Sequence, residues 1–495
     1  MRKSASLAPF VILGLVVGMS ACGSSSSGNP AAGAVDSGAQ ADSGVVIGGD
    51  AATDTGNGAG EDSGGGADSG SGNPGDGGFP AVFPFPDVIS HGGSVIAAPD
   101  IVTVTFLDDT LAPQLTTFGA SVASSSYWNT VRTGYCIGAT CIGDGPAGTA
   151  VALTTAAAAS YTDSAQGGAS TLQTALAALL SGSQLPAPTA NTIYMLYFPS
   201  TTSISLDGSP SCGIGGFDGY HNQMTLGGQT IVYSVIPECA APMMTPAITL
   251  LQNTTITASH EIAESASDGV ATSTTDGFYL DEAKSASWGW SDVQGGAEIA
   301  DLCVDQFGLG QDETTESGFT VQRIWSIGNA AAGKNPCVPV PAGEVYFNAF
   351  PTTPVVQLDV GQSQTIEVDA LADGAMAPWI LLPQDWTVST NNATYLSFSI
   401  QGVTTPDGGT PQTQVKSGDK VQVTVTLLAD PGSTTNGEAD GVIVSANGTQ
   451  TTATAAHFWP FVVLTPAECA QYHCTKTGTD HARNLLHGSP IRPRR

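Results

Sequence analysis

The hydrophobic positions divide this chain into a polar opening stretch, a middle part of mixed periodicity and a C-terminal part of short alternating runs. Residues 22–79 are mostly Gly, Ser, Ala and Asp, with almost no large apolar side chain and no Lys or Arg. Such a segment buries too little surface to offset the entropy of the chain. The composition therefore predicts a disordered linker, with ordered structure from about residue 80 onward.

The middle part, residues 80–340, alternates between strand and helix patterns. Ile101–Phe106 has β-branched residues in alternation, and Asn191–Phe198 is a nearly continuous apolar run of the kind buried on both faces. Thr110–Val131 and Ala169–Ser181 have helical spacing of apolar residues, and Thr230–Pro237 has the composition of a strand. This order predicts an α/β core domain.

Two later segments complete this domain. Pro246 suits the first turn of a helix, and the following apolar spacing extends that helix to about Ala266, before Asp268 and Gly269 end it. Thr320–Ile327 is predicted to be a strand.

From about residue 341 the chain changes to short strand-like runs separated by Gly, Pro, Asn and Asp. Strands at this spacing predict an all-β, immunoglobulin-like sandwich over residues 341–466, followed by a Cys-containing basic tail over residues 467–495. About seven strands are expected, at Val355–Val360, Gln364–Ala370, Trp386–Thr390, Tyr395–Gln401, Lys420–Leu428, Gly441–Ala446 and Thr452–Val463.

The N-terminus predicts export. Arg2 and Lys3 precede a short apolar run, Phe10–Met19, as in a signal peptide over residues 1–21. Small residues then precede Cys22, as in a bacterial lipobox, which predicts lipid attachment at Cys22 and anchoring to the outer or cell membrane. The alternative is ordinary secretion with cleavage near Ala21.

Charge and cysteine content agree with export. The 43 acidic residues against 13 basic ones give a formal charge of −30, which excludes nucleic acid as an expected partner. With Cys22 lipidated, eight cysteines remain, an even number that favours disulfides over free thiols. Short loops favour the pairs Cys136–Cys141 and Cys469–Cys474, and order along the chain then suggests Cys212–Cys239 and Cys303–Cys337.

Candidate chemistry is concentrated in the segment HEIAE, residues 260–264. On a helix, His260 and Glu264 share one face and could bind one metal ion, while Glu261 lies beside that face as a candidate general base for a metal-bound water. The segment differs by one residue from the HExxH zinc-hydrolase helix. Zinc is therefore the expected cofactor, and another divalent ion, such as manganese or calcium, is the alternative because the site is rich in carboxylates.

A third ligand is needed to leave one open position for water. His221 lies in a glycine-flanked, aromatic segment that reads as a turn, and Glu298 and Asp301 are acids beside apolar residues. Each of these three residues is a candidate. Tyr220 is a candidate for stabilising an oxyanion, although a core aromatic is its commoner role. The simple alternative for the whole motif is a solvated helix face with one His–carboxylate contact.

Five segments carry a resemblance to a known family: His91–Val95, Tyr127–Trp128, Gly219–Asn222, Ser259–Glu264 and Glu298–Cys303. In this order they resemble the Exordium / phosphate-induced protein family of secreted plant proteins and its bacterial relatives, over roughly residues 88–340. The resemblance implies an extracellular, wall-associated protein whose site includes an HExxE motif in place of the usual HExxH.

These patterns support three functional hypotheses. The first is a lipid-anchored metallopeptidase of zincin-like character, acting on extracellular peptides or cell-wall material. The second is a non-catalytic wall or carbohydrate-binding protein in which HEIAE is structural. The third is a metal-dependent hydrolase for a non-peptide substrate. Dependence of activity on metal and on Glu261 separates the two hydrolases from the binding protein, and cleavage of a peptide library supports the peptidase.

Overall fold

The computed structural model describes eleven segments: residues 82–164, 169–212, 217–240, 248–268, 277–294, 296–304, 310–387, 393–403, 410–432, 438–449 and 452–471. The predicted signal peptide, the linker, Cys22, Pro246 and most of the basic tail, including Cys474, lie outside the described residues.

The N-terminal part of the described chain, up to Val338, contains sixteen strands. They are β1 (Val88–Ser90), β2 (Asp100–Thr105), β3 (Cys136–Ile137), β4 (Thr140–Cys141), β5 (Thr149–Ala152), β6 (Ser160–Asp163), β7 (Thr192–Phe198), β8 (Ser203–Leu206), β9 (Ser209–Pro210), β10 (Tyr220–Leu226), β11 (Gln229–Pro237), β12 (Phe278–Leu280), β13 (Glu313–Glu316), β14 (Phe319–Gln322), β15 (Ile324–Trp325) and β16 (Cys337–Val338).

The helices are mostly short, and the fourth is the longest. They are α1 (Ala112–Ser121), α2 (Ser126–Val131), α3 (Thr171–Ser181), α4 (Leu250–Asp268), α5 (Trp288–Gln294), α6 (Ile327–Ala331) and α7 (Pro466–Gln471), with one-turn 3-10 helices at Val122–Ser124 and Asp301–Cys303. Among the described residues, no helix is long and apolar enough to cross a membrane.

A five-stranded mixed sheet forms the centre of this part, in the spatial order β5, β2, β7, β11, β10. The first four strands are parallel, and β10 pairs antiparallel with β11 at one edge. Every residue of β7 is buried, as its apolar run predicts. Its side chains alternate between two hydrophobic clusters, one on each face of the sheet, because successive residues of a strand point to opposite faces.

Helix α4 lies against one face of this sheet and is buried over most of its length. Its many Ser, Thr and Ala residues allow close contacts with the strands on both sides. Ser265 Oγ lies 2.9 Å from Ser234 Oγ of β11, and Thr255 Oγ1 donates a 2.7 Å hydrogen bond to the Thr320 carbonyl of β14. The helix therefore sits between the sheet and the β13–β14 hairpin, which explains why its polar residues are inside.

Two predicted elements are interrupted in the structure. The helix expected over residues 110–131 breaks into α1, a 3-10 turn and α2, because Ser125 adopts an extended conformation and caps α2 by accepting a hydrogen bond from the Trp128 amide. The strand expected over residues 320–327 breaks at Arg323, between β14 and β15. The buried Arg323 guanidinium forms two hydrogen bonds with Glu344, at 3.0 and 3.1 Å.

The C-terminal part forms two facing sheets. Its strands are β17 (Phe347–Pro351), β18 (Val355–Gln357), β19 (Ser363–Ala372), β20 (Trp379–Asp385), β21 (Leu396–Ile400), β22 (Thr413–Val415), β23 (Lys420–Leu427), β24 (Ala439–Ala446) and β25 (Ala456–Leu464). One sheet has the order β17-β19-β23-β21 and the other β18-β25-β24-β20-β22. Both sheets contribute side chains to one shared apolar core, so this part is a β-sandwich.

The strand count in the sandwich corrects the prediction of about seven. The described part of the sandwich contains nine strands, of which β17, β20 and β22 were not expected. The expected strand at Trp386–Thr390 is replaced by β20, which ends just before it, while residues 388–390 lie outside the described residues. Pro383 within β20 lies where pairing with β22 has ended and only β24 remains beside it. Proline has no backbone N–H to donate to a sheet. It is tolerated here because the strand is paired on one side only at this residue.

The sandwich packs against α5 of the N-terminal part. A Cβ added to Gly289 would lie 2.9 Å from the Phe461 backbone nitrogen of β25, so the helix approaches this strand closely. Trp288 joins a small apolar cluster with β25, and the rings of Trp290 and Trp459 lie 5.3 Å apart. Four acids also meet at this contact and are called the interface acid cluster below: Glu282, Asp292, Glu438 and Asp440.

Three disulfides are present among the described residues: Cys136–Cys141, Cys212–Cys239 and Cys303–Cys337. They confirm three of the four pairs expected from cysteine order. The fourth expected pair includes Cys474, which lies outside the described residues. Overall the described chain is a strand-rich mixed α and β fold.

Candidate metal centre

Helix α4 places His260 and Glu264 one turn apart on the same side. The His260 Nε2 atom lies 3.0 Å from Glu264 Oε2, and both side chains are 1% exposed. The spacing of four residues brings the two side chains together on a helix. The structure therefore has the local geometry that the HEIAE motif predicts.

Gln322, at the end of β14, fixes the ring of His260. The Gln322 Nε2 group donates a 2.7 Å hydrogen bond to the Ala300 carbonyl, so its Oε1 atom faces His260 Nδ1 at 3.0 Å. An amide oxygen can only accept a hydrogen bond, so the His260 Nδ1 atom must carry a proton and donate it to this bond. In a neutral imidazole the lone pair then lies on Nε2, directed at the acids around it. Gln322 was not found from the sequence, where a lone polar residue at the end of a strand has no distinguishing signal.

The segment Glu298–Cys303 supplies a second group of acids. The Asp301 Oδ1 atom lies 3.5 Å from His260 Nε2. The backbone amides of Ala300 and Asp301 each donate a 3.3 Å hydrogen bond to Glu264 Oε1. The disulfide Cys303–Cys337 holds the end of this 3-10 turn. The two amide hydrogen bonds connect the start of the turn to Glu264, so they position Asp301 next to Glu264.

Edge strand β10 supplies the second imidazole. The His221 Nε2 atom lies 3.3 Å from Glu298 Oε2 and 3.9 Å from Glu264 Oε2. His221 is in a regular strand, and not in the turn that the sequence suggested. The close approach of this strand to α4 depends on Gly219, where an added Cβ would lie 2.4 Å from Thr257 Cγ2 and 3.1 Å from Glu261 Oε1.

Glu261 lies beside His221 and Glu264. Ligand atoms of His221, Glu261 and Glu264 all lie within 4.8 Å of one another, as do those of His260, Glu264 and Asp301. The two groups share Glu264. All six residues proposed from the sequence are therefore brought together, and they are called the cation cluster below: His221, His260, Glu261, Glu264, Glu298 and Asp301.

Tyr220 does not belong to this cluster, which corrects its candidate role at an oxyanion. Its neighbour His221 faces α4, so strand alternation turns Tyr220 to the other face of the sheet. There its hydroxyl donates a 2.8 Å hydrogen bond to Asp163 Oδ2. Tyr233 donates to the same atom at 2.8 Å, and Asn222 Nδ2 lies 3.3 Å from it. This buried network was missed in the sequence. It holds β10 in place on the face of the sheet opposite α4.

The cation cluster holds Glu264 as a carboxylate. Burial raises the pKa of Glu264, but the charge and hydrogen bond of His260, the charge of His221 and the Asp301 amide outweigh burial, so the net pKa lies below its ordinary value. Beside the cluster, burial raises the pKa of Tyr127, an effect that Ser259 and His260 oppose. Tyr127 therefore stays neutral next to the imidazole.

Comparisons with known proteins find similar solved structures but no matching family. No protein-family model matches it, and no curated protein matches it. Among solved structures, a conjugative transposon lipoprotein from Bacteroides eggerthii is similar over 24% of this chain and 95% of its own, with 10% identity and a TM-score of 0.17. Domain 1 of VCBP3 from Branchiostoma floridae is similar over 26% of this chain and 99% of its own, with 9% identity and a TM-score of 0.17.

Proposed function

We propose that this protein binds a divalent metal ion through His260, Glu264 and Asp301, and uses it to hydrolyse peptide bonds. The observation that carries the proposal is the fixed orientation of His260. Gln322 Oε1 accepts a hydrogen bond from the protonated Nδ1, so in the neutral imidazole the Nε2 lone pair is directed at two carboxylate oxygens, 3.0 and 3.5 Å away. A lone pair facing buried carboxylates is repelled unless a positive charge lies between them, and a metal ion can replace the proton that otherwise occupies this position.

The donor set fits a first-row divalent ion. Metal-binding histidines usually donate their other ring N–H to an oxygen acceptor, as His260 does to Gln322. One imidazole and two carboxylates suit zinc, and the high share of oxygen also suits manganese. An ion bound there would lower the pKa of a water molecule and polarise a substrate carbonyl.

Glu261 is the general base in this proposal. It follows His260 directly on α4, and its carboxylate lies beside both Glu264 and His221. It would accept the proton of the attacking water as oxygen adds to the peptide carbonyl, and would then return that proton to the leaving amine as the C–N bond breaks. Glu264 and Asp301, which lie next to the His260 imidazole, would bind the metal ion together with it.

A specific observation favours the second candidate, a non-catalytic binding protein. The site is enclosed by the described residues: the side chains of His260, Glu264, His221 and Asp301 are at most 4% exposed, and that of Glu298 is 11% exposed. A cation in such a setting also stabilises the fold around it. Under this hypothesis the metal is structural and the sandwich is the module that binds wall polymers or carbohydrates.

The remaining proposals concern the setting of this site. The metal-site part is proposed to be zincin-like because α4 carries the histidine and glutamate, and the sandwich is proposed to be immunoglobulin-like. The chain is proposed to be exported, with lipid on Cys22 anchoring it to the outer or cell membrane, where peptides or wall material are the substrates. Three disulfides among the described residues support an oxidising compartment. The relation to the Exordium family stays a prediction.

Metal content and hydrolysis test this function together. Purified full-length protein is expected to contain tightly held divalent metal, removable by chelation, and to cleave a fluorogenic peptide library. Glu261→Gln should abolish cleavage while the ion at His260 stays bound, because Glu261 is outside that ligand group. Glu367→Gln, a matched change in the sandwich, should leave both unchanged. Absence of metal rejects the whole proposal, and metal without cleavage favours the binding protein.

A further inference from the structure

We propose a second divalent-cation position next to the first, formed by His221, Glu261 and Glu298 and bridged to it by Glu264. This inference rests on the proposed metal site at His260, and in it Glu261 would bind the second ion through one carboxylate oxygen and keep the other oxygen for proton transfer. It assigns the imidazole of His221 and the acid Glu298 to a separate ion, so that the cation cluster holds a pair of ions.

The geometry divides the cluster into two ligand groups with one shared member. His260, Glu264 and Asp301 form one compact group, and His221, Glu261 and Glu264 form another. The Glu264 Oε2 atom faces both imidazoles, at 3.0 Å from His260 Nε2 and 3.9 Å from His221 Nε2. A carboxylate oxygen between two nitrogen ligands is placed to bridge two ions.

Glu298 lies next to the second group, on the His221 side. Its Oε2 atom lies 3.3 Å from His221 Nε2, on the ring nitrogen that also faces Glu264. His221 is held there from both sides, since the Asp163 network fixes β10 on the opposite face. The second position therefore has one nitrogen and up to three carboxylate groups as donors, a set that suits manganese or zinc.

Charge supports two ions. The cluster contains four carboxyl groups and two imidazoles, all largely buried. When both imidazoles bind metal in their neutral form and the four acids are ionised, the formal charge of the ligands is about −4, which two divalent ions neutralise and one does not. Paired ions about 3.5–4 Å apart are a known arrangement in hydrolases, where they hold the attacking and leaving atoms of the reaction.

Manganese binding to the full-length protein tests this inference. Metal-free protein titrated with Mn2+ is expected to take up two equivalents, measured by calorimetry, and to give the electron paramagnetic resonance spectrum of an exchange-coupled pair. One equivalent with the spectrum of an isolated ion overturns the second position and leaves the proposed function intact. Uptake of no metal overturns both.

Variants separate the two positions. His221→Ala is expected to lower uptake from two equivalents to one and to abolish the coupled spectrum, and the milder Glu298→Gln is expected to weaken the second equivalent at least tenfold. Glu367→Gln should keep two equivalents. Circular dichroism checks that each variant is folded. If folded His221→Ala and Glu298→Gln both retain two coupled ions, the assignment of this position is wrong.

Discussion

The cation cluster and the interface acid cluster contain the same kind of side chain in opposite electrostatic settings. In the cation cluster, two imidazoles and backbone amides hold the pKa of Glu264 below its ordinary value, although burial pushes it upward. In the interface acid cluster, burial raises the pKa of Glu438 well above its ordinary value, and the neighbouring Asp292, Asp440 and Glu282 add to that effect. Buried acids are therefore held ionised in one region and protonated in the other.

Ligand geometry separates the two regions more sharply than the number of acids does. Among the described residues, the groups of three or more ligands within 4.8 Å of one another involve only the cation cluster. In the interface acid cluster, Ser291 donates a 2.8 Å hydrogen bond to Glu282, and Asp292 is hydrogen-bonded to Glu438. Shared protons satisfy such a set of carboxyl groups, so this region serves as a contact between α5 and the sandwich.

The largest effect is expected from Glu264→Gln. Removing the shared carboxylate from a buried charged group costs about 3–5 kcal/mol, so the melting temperature should fall markedly. Chelation should lower the melting temperature of the wild-type protein but not that of the variant, measured by calorimetry with and without EDTA. Equal sensitivity of both proteins to chelation would show that the metal binds elsewhere.

A smaller, opposite effect is expected from Glu438→Gln. A raised pKa in the folded state gives stability that is present below the unfolded pKa and is lost as pH rises through the folded value. Wild-type stability should therefore fall as pH rises above 5, and this fall should be shallower in the variant, which is more stable by on the order of 1 kcal/mol at pH 8. Urea unfolding across this pH range measures it. A variant that is less stable at every pH would contradict the protonated state.

The smallest effect is expected at Glu238, beyond the end of β11. Burial raises its pKa to about 8, with a hydrogen bond and charge from Asp109 adding to the shift. Its stabilising contribution should be complete below about pH 4.5, the ordinary value, and should be lost progressively as pH rises from there to about 8. Glu238→Gln should match the wild-type protein at pH 4 and exceed it slightly at pH 9 in thermal melts. A difference already present at pH 4 would point to lost packing instead.

The members of the cation cluster could be predicted from the sequence, but their grouping could not. Helical spacing placed His260 beside Glu264, and acids next to apolar residues indicated that Glu298 and Asp301 are buried. The choice of third ligand was open because His221 and Asp301 approach Glu264 from different elements, and no local pattern specifies how β10 and the 3-10 turn pack on α4.

The errors also have physical causes. Tyr220 was given a role beside His221 because the segment read as a turn, whereas in a strand these neighbours face opposite sides. The strand β20 was missed because Pro383 lies within it, and only the pairing on one side of the sheet makes that residue acceptable. Both outcomes depend on tertiary neighbours that are distant in the sequence.

The connectivity of the disulfides has a consequence for when the site becomes complete. Cys212–Cys239 closes the loop that carries β10 and β11, and Cys303–Cys337 closes the loop that begins at the acidic turn. His221 lies within the first of these cross-linked segments, and Glu298 and Asp301 lie just before the second. Both segments contribute side chains that approach α4. Under the proposed function, the ion would enter a site whose elements these cross-links help to hold together. Metal availability in the compartment where the disulfides form would then contribute to the identity of the ion, beside ligand preference.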